Sequence, residues 1–238
     1  MPSLDLLYES EIRINDNIRV MIPDVGTILK HESDYYRLVS VLTSVPYDMM
    51  VQLDDIGIDF SEIDDYELFL LLFSGLKSED TSLIFGDLDL SGFNAEINEK
   101  NGTIILRDPG TGVVIDRGIF TSIANSLRII HHLEKTRKQP GNEDAKKYLI
   151  ERARKKMARR RSRNTRSELQ SLIIAMVNTS EFKYNYETVK DLSIYQFNQS
   201  VHQILRKTDW DNRMHGIYAG TIDAKQLKEE DLSFISRN

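Results

Sequence analysis

Residues 93–116 read FNAEINEKNGTIILRDPGTGVVID. Apolar and polar side chains alternate within FNAEI, TIILR and GVVID, and the intervening Asn101-Gly102 and Pro109-Gly110 suit tight turns. A period of two broken by turn pairs predicts three antiparallel strands in a meander. Directly after Arg117 the period becomes 3.6, with Phe120, Ile123, Ala124, Leu127, Ile130 and Leu133 on one face. That predicts a helix of about five turns ending before Pro140-Gly141. A chain that switches period in this way is neither all-helical nor all-β.

On the N-terminal side, Ile12 to Ile22 reads IRINDNIRVMI, two alternating runs separated by Asn15-Asp16-Asn17, and predicts a β-hairpin that Pro23 ends. Val25–Leu29, Tyr35–Leu42 and Tyr47–Leu53 follow as short apolar-periodic pieces and are read as short helices. Asp64-Asp65-Tyr66-Glu67 then places acids at the positive end of a helix whose run Leu68–Leu76 is apolar enough for the core. On the C-terminal side, Asn142 is a candidate N-cap for a charged helix reaching 166, with Ala145, Leu149, Ala153 and Met157 as a narrow apolar stripe. Such a helix is expected to pack lightly or protrude. Leu169–Val177 and Val189–Leu205 read as further helices, while Trp210 to Ile235, with Gly216 and Gly220, reads as a turn with short helices or an arm. The fold class is therefore α+β, predominantly helical, with an N-terminal β-hairpin and a central three-stranded antiparallel meander. We divide it into an acidic α+β part, 1–118, and a helical part, 119–238, that includes a basic helix at 142–166.

The 238 residues are 40% hydrophobic and 29% charged, ordinary values for a folded chain. The longest unbroken apolar run, Leu68–Phe73, is far below the roughly 20 residues of a membrane span, so no membrane role is expected. The absence of cysteine excludes disulfides, thiolate nucleophiles and Cys-based metal sites, and MPSLDLLYES lacks the order of a signal peptide, which predicts a cytoplasmic chain.

The formal charge of −6 conceals segregation. Residues 1–100 carry 6 basic and 21 acidic side chains, net −15, whereas residues 101–166 carry 17 and 6, net +11. Residues 152–166, RARKKMARRRSRNTR, hold 9 cations in 15 positions: Arg152, Arg154, Lys155, Lys156, Arg159, Arg160, Arg161, Arg163 and Arg166. Three readings stay open. The segment contacts phosphates, because guanidinium groups chelate them bidentately; it docks on an acidic protein surface; or it lies across the acidic half of its own chain. No aromatic residue is interleaved in this stretch, and no helix-turn-helix or zinc-finger spacing accompanies it.

Other motifs fail on inspection. Asp87-Leu88-Asp89-Leu90-Ser91-Gly92 opens like an EF-hand loop, but its twelfth position is Asn98 where a bidentate Glu is required. His31, His131, His132, His202 and His215 show no metal-ligand spacing, and His131-His132 are expected to cap a helix end or sit half exposed. Gly110-Thr111-Gly112 lacks the rest of a dinucleotide fingerprint, no P-loop or nucleophile elbow is present, and Asp54-Asp55 and Asp64-Asp65 read as helix-end and surface charges. No enzyme activity and no cofactor are expected.

Pro46-Tyr47-Asp48, Gly57-Ile58-Asp59-Phe60, Asp65-Tyr66-Glu67-Leu68-Phe69, Phe182-Lys183-Tyr184-Asn185 and Asp191 through Phe197 together carry a resemblance. The sequence resembles tail-module proteins of bacteriophages of Gram-positive bacteria, of the kind encoded near tape-measure and baseplate genes. The resemblance implies a virion-assembly role as a tail-assembly chaperone or a baseplate-hub or tail component. The implied partners are other tail or baseplate proteins, met in the host cytoplasm during assembly or in the virion tail. It transfers no active-site residue. The residues themselves are compatible with such contacts: opposite charge segments suit self-association, and Trp210, Ile217, Tyr218 and Phe234 are candidate interface anchors or members of an intramolecular core. The alternative function is nucleic-acid binding through 152–166.

Overall fold

A computed structural model of the chain describes residues 4–99, 102–136, 138–160, 167–228 and 232–235. Strands β1 (Glu11–Arg13) and β2 (Arg19–Met21) form the expected hairpin, with Ile12 opposite Val20. Its turn needs no positive φ: the Asn15 side-chain oxygen accepts the N–H groups of Asn17 and Ile18 at 2.9 and 2.8 Å, an Asx turn. Helices α1 (Val25–Lys30), α2 (Glu32–Thr43) and α3 (Met50–Asp55) follow, the last preceded by a 3₁₀ turn that opens on Pro46. Helix α4 (Asp65–Leu76) starts in a capping box in which Asp64 accepts from Tyr66 and Glu67 N–H while Glu67 accepts from the Asp64 N–H. After the short α5 (Ser82–Phe85), strands β3 (Asn94–Ile97), β4 (Ile104–Arg107) and β5 (Val114–Ile115) make the antiparallel meander in the order β3-β4-β5. Helices α6 (Arg117–His131), α7 (Glu143–Arg160), α8 (Glu168–Val177) and α9 (Ile194–Tyr218) complete the described residues. The fold is α+β and predominantly helical.

The main core joins both ends of the chain. Tyr66 of α4 donates its hydroxyl to the Ile115 carbonyl at 2.9 Å, which ties the sheet to the helical layer, and Phe69 stacks on Phe120 of α6 at 4.3 Å. The same buried cluster takes Leu169, Ile173 and Met176 from α8 and Ile194, Tyr195 and Phe197 from the start of α9. Two backbone bonds lock that start against α1: the Val25 N–H donates to Leu192 O, and the Ile194 N–H to Pro23 O, each at 2.9 Å. Gly26 makes this approach possible, because a Cβ there would meet the Lys190 carbonyl oxygen at 3.1 Å. The buried cluster thus draws on residues from both sides of position 118.

Three helix ends depart from expectation. Helix α6 stops at His131, short of the five turns read from the sequence, where His132 turns into the left-handed region at φ 51° and stacks on His202 of α9 at 5.2 Å. The helix expected over Val189–Leu205 begins instead at Ile194, where Ser193 and Gln196 form a capping box, and only a 3₁₀ turn occupies Val189–Asp191. It then runs through Trp210 to Tyr218, a stretch read as turns or an arm. Gly216 does not break it; a Cβ there would lie 2.6 Å from Ile222 Cδ1, so glycine admits the returning chain against an intact helix.

Candidate functional site

Two surfaces bear on function, the faces of α7 and the outer half of α9. Helix α7 starts where expected, with the Asn142 side chain accepting from the Ala145 N–H at 2.8 Å. Its inward stripe is Leu149, Ile150, Ala153 and Met157, packed on a second buried cluster of Met50, Val51, Leu53, Phe60 and Leu68. The helix therefore has its own bed beside α3; Ile150 joins the stripe read from the sequence, and Ala145 is not among the residues packed on this cluster. It is described as far as Arg160, whose side chain is not; Arg161, Arg163 and Arg166 lie outside the described residues.

Two cations of α7 on the side of that stripe are neutralised within the chain. Arg154 reaches both Asp55 and Asp54, at 2.7 and 2.8 Å, and these hydrogen bonds and charges hold its guanidinium above the usual arginine range. Lys146 sits between Asp59 at 2.5 Å and Glu143 at 2.6 Å, which pushes its ammonium up to about 12. The same Lys146 hydrogen bond, helped by Ser61, holds Asp59 down at about 2. Asp54, Asp55 and Asp59 come from the acidic N-terminal part, and within the basic segment 152–166 the in-chain pairing is seen at Arg154. Asp64 and Asp65 are likewise structural: the first caps α4 and pairs with Arg117, and the second lies 2.5 Å from Lys135 and 3.8 Å from the buried Arg128.

The opposite side of α7 is different. At 100° per residue, Tyr148, Glu151, Arg152, Lys155, Lys156 and Arg159 fall on one face, turned away from the inward stripe. All six are exposed, and together they line a groove of about 410 Å3. Among the described residues none of Arg152, Lys155, Lys156 or Arg159 has a carboxylate within ion-pair distance. Tyr148, 63% exposed, was not singled out in the sequence because it precedes the basic run. Its i, i+4 spacing to Arg152 was the available signal.

The outer half of α9 bears the candidate anchors. Beyond Phe197 no residue of this helix is buried. The Trp210 ring lies against Phe234 at 5.3 Å and its Nε1 donates to Leu232 O at 3.1 Å, while Gln203 donates to Phe234 O at 2.9 Å. Trp210 and Phe234 thus staple residues 232–235 back along the helix. Ile217 is half-buried and Tyr218 is 86% exposed, with Leu205 and Ile235 also open to solvent.

The histidines are structural in placement. His131 Nε2 and the Tyr35 hydroxyl are 2.9 Å apart, and burial, with His132 next to it, pushes the His131 ring down to about 4. No group of three or more metal-ligating side chains is assembled among the described residues, and no helix among them is long and apolar enough to cross a membrane.

A family model described as the YomV second domain matches residues 159–237, roughly a third of the chain. YomV is a Bacillus phage-region protein, and over this stretch the chain is similar to its second domain. No curated protein and no solved structure matches.

Proposed function

We propose that this chain is a non-enzymatic bacteriophage tail or baseplate assembly or structural protein that acts through protein–protein contacts. The outer half of α9, with its returning strap, is a contact surface in this reading. The observation that carries it is the apolar surface there: Leu205 and Tyr218 are 61% and 86% exposed on α9, which has no buried residue after Phe197, and Ile235 of the strap is 60% exposed. Large side chains left open on a projecting helix are the material of interface hot spots, since burying them against a partner recovers free energy that the monomer forgoes. The match to a phage-region family over residues 159–237 spans this element and supports the setting. Partners would be other tail or baseplate proteins, or a second copy, met in the host cytoplasm during assembly.

The test is co-expression of the chain with each protein encoded by the neighbouring phage genes, followed by size-exclusion chromatography with light scattering. A stoichiometric complex or defined oligomer is expected, lost on combining Leu205→Asp, Tyr218→Asp and Ile235→Asp while the circular dichroism spectrum is kept. A complex indifferent to these substitutions, or none at all, would refute this role for α9.

A further inference from the structure

We infer that the outward face of α7 is a binding site for single-stranded nucleic acid, with Arg152, Lys155, Lys156 and Arg159 on the phosphodiester chain and Tyr148 as a stacking platform for a base. This goes beyond the assembly role and stands without it, since it uses a different surface.

The inference rests on how the charges of α7 are divided. The chain brings Asp54, Asp55, Asp59 and Glu143 to the cations beside the packed stripe. Among the described residues it brings no carboxylate within ion-pair range of the four cations opposite, despite the net −15 of its first hundred residues. These four lie within eight residues, about 10 Å of helix, and form a continuous positive row rather than a scattered one. A row of that kind fits a ligand whose negative charges repeat along a line. Arginine can chelate a phosphate with two N–H donors, and lysine contributes a point charge.

Tyr148 adds an aromatic face at the head of the cationic row. Its ring lies one helical turn before Arg152 on the same face and is 63% exposed, with no ring or hydrogen-bond partner among the described residues. A protein partner could also bury an exposed tyrosine, so what favours a strand is the placement of the ring, in line with the cationic row. A nucleic-acid strand has a use for both, since single-strand sites pair a cationic track with aromatic side chains on which bases stack. Stacking requires a base free of its own duplex, which selects single strands. Among the described residues these side chains line the groove of about 410 Å3, with Glu151 as the one acid.

The experiment uses the full chain and fluorescence anisotropy with labelled dT20, U20 and a 20-base-pair duplex, over roughly 50–300 mM salt. Saturable binding of one or both single strands is expected, stronger than for the duplex, and dT20 against U20 separates DNA from RNA. Replacing Arg152, Lys155, Lys156 and Arg159 together by glutamine should abolish binding or flatten the plot of log K against log salt by about 3 units, from the single-strand value of roughly 0.7 per neutralised phosphate. Tyr148→Ala should weaken binding about 5- to 150-fold with the salt slope unchanged. All five side chains are exposed, and the fold of each variant is checked by circular dichroism.

Three results would overturn the proposal: no binding at 50 mM salt, binding retained in the quadruple variant, or Tyr148→Ala without effect while poly-glutamate binds as well as the oligonucleotides. The last assigns the face to an acidic protein. None of them touches the α9 reading, which is tested by complex formation.

Discussion

Removing charge from the outward face of α7 should make the protein more stable. Arg152 and Lys155 stand three positions apart, Arg152 and Lys156 four, and Lys156 and Arg159 three, so each pair meets on the helix surface with like charge. Neither Arg152 nor Lys156 has a carboxylate at the spacings where one would compensate; positions 148, 149 and 153 are Tyr, Leu and Ala. Together the three pairs cost about 0.6–1.5 kcal/mol at low salt. Glutamine has nearly the helix propensity of lysine and arginine, so the double change Arg152→Gln with Lys156→Gln relieves the repulsion and alters little else. Because Leu149, Ile150, Ala153 and Met157 dock α7 on the buried cluster beside α3, the gain should enter global unfolding. For a chain of this size it corresponds to a rise in Tm of roughly 1–6 °C. Thermal melts followed by circular dichroism at 20 mM and 500 mM salt provide the assay, and the rise should largely vanish at the higher salt, where screening acts within a few ångströms. An unchanged or lower Tm at low salt, or a rise indifferent to salt, would refute the repulsive account. A confirmed gain would mean that the wild-type face is kept at the expense of stability, as binding surfaces commonly are.

Phe197→Ala should destabilise by about 3–5 kcal/mol in urea unfolding, because the ring is fully buried and meets Phe182 edge-on at the junction of α9 with the body. Ser193→Ala should cost about 1 kcal/mol through loss of the α9 capping box, read from the same titration. His131 contributes a pH dependence. Its folded value, near 4, lies below the ordinary 6.5, so the neutral ring's contribution is fully present above about 6.5 and is lost as pH falls toward 4. The ring retains some solvent contact, so the expected loss is about 1–3 kcal/mol over that window. His131→Gln should flatten the stability profile between pH 6.5 and 4, and a profile as steep as wild type would assign the dependence to other groups.

Elements governed by local rules were legible from the sequence. The meander, the hairpin, the α4 cap at Asp64 and the Asn142 cap of α7 each follow from side chains within a few positions of the feature they set. What escaped was set by distant residues. Helix α6 ends early because His132 stacks on His202, seventy positions on, and Trp210 to Tyr218 stays helical because the strap, not Gly216, determines the local structure. The cationic composition of α7 was plain, but its division into a matched and an unmatched face depends on where Asp54, Asp55 and Asp59 are placed by tertiary packing. Tyr148 joins the site for the same reason, by rotation about a helix whose inward direction only the packing defines.

The two bonds that seat the start of α9 against α1 also bear on timing. Val25 and Leu192 are 167 positions apart, so the bed under the first helix is incomplete until nearly the whole chain has left the ribosome. At 5–20 residues per second that interval is roughly 10–30 s, during which Val25 and Ile28 wait without their cover. Closure across such a separation also places folding among the slower, non-local cases. The converse holds for any fragment that begins near residue 159. It would carry Leu169, Ile173, Met176 and Phe197 without the N-terminal part of the cluster that covers them, so the stretch matched by the family model shares its core here with residues that precede it.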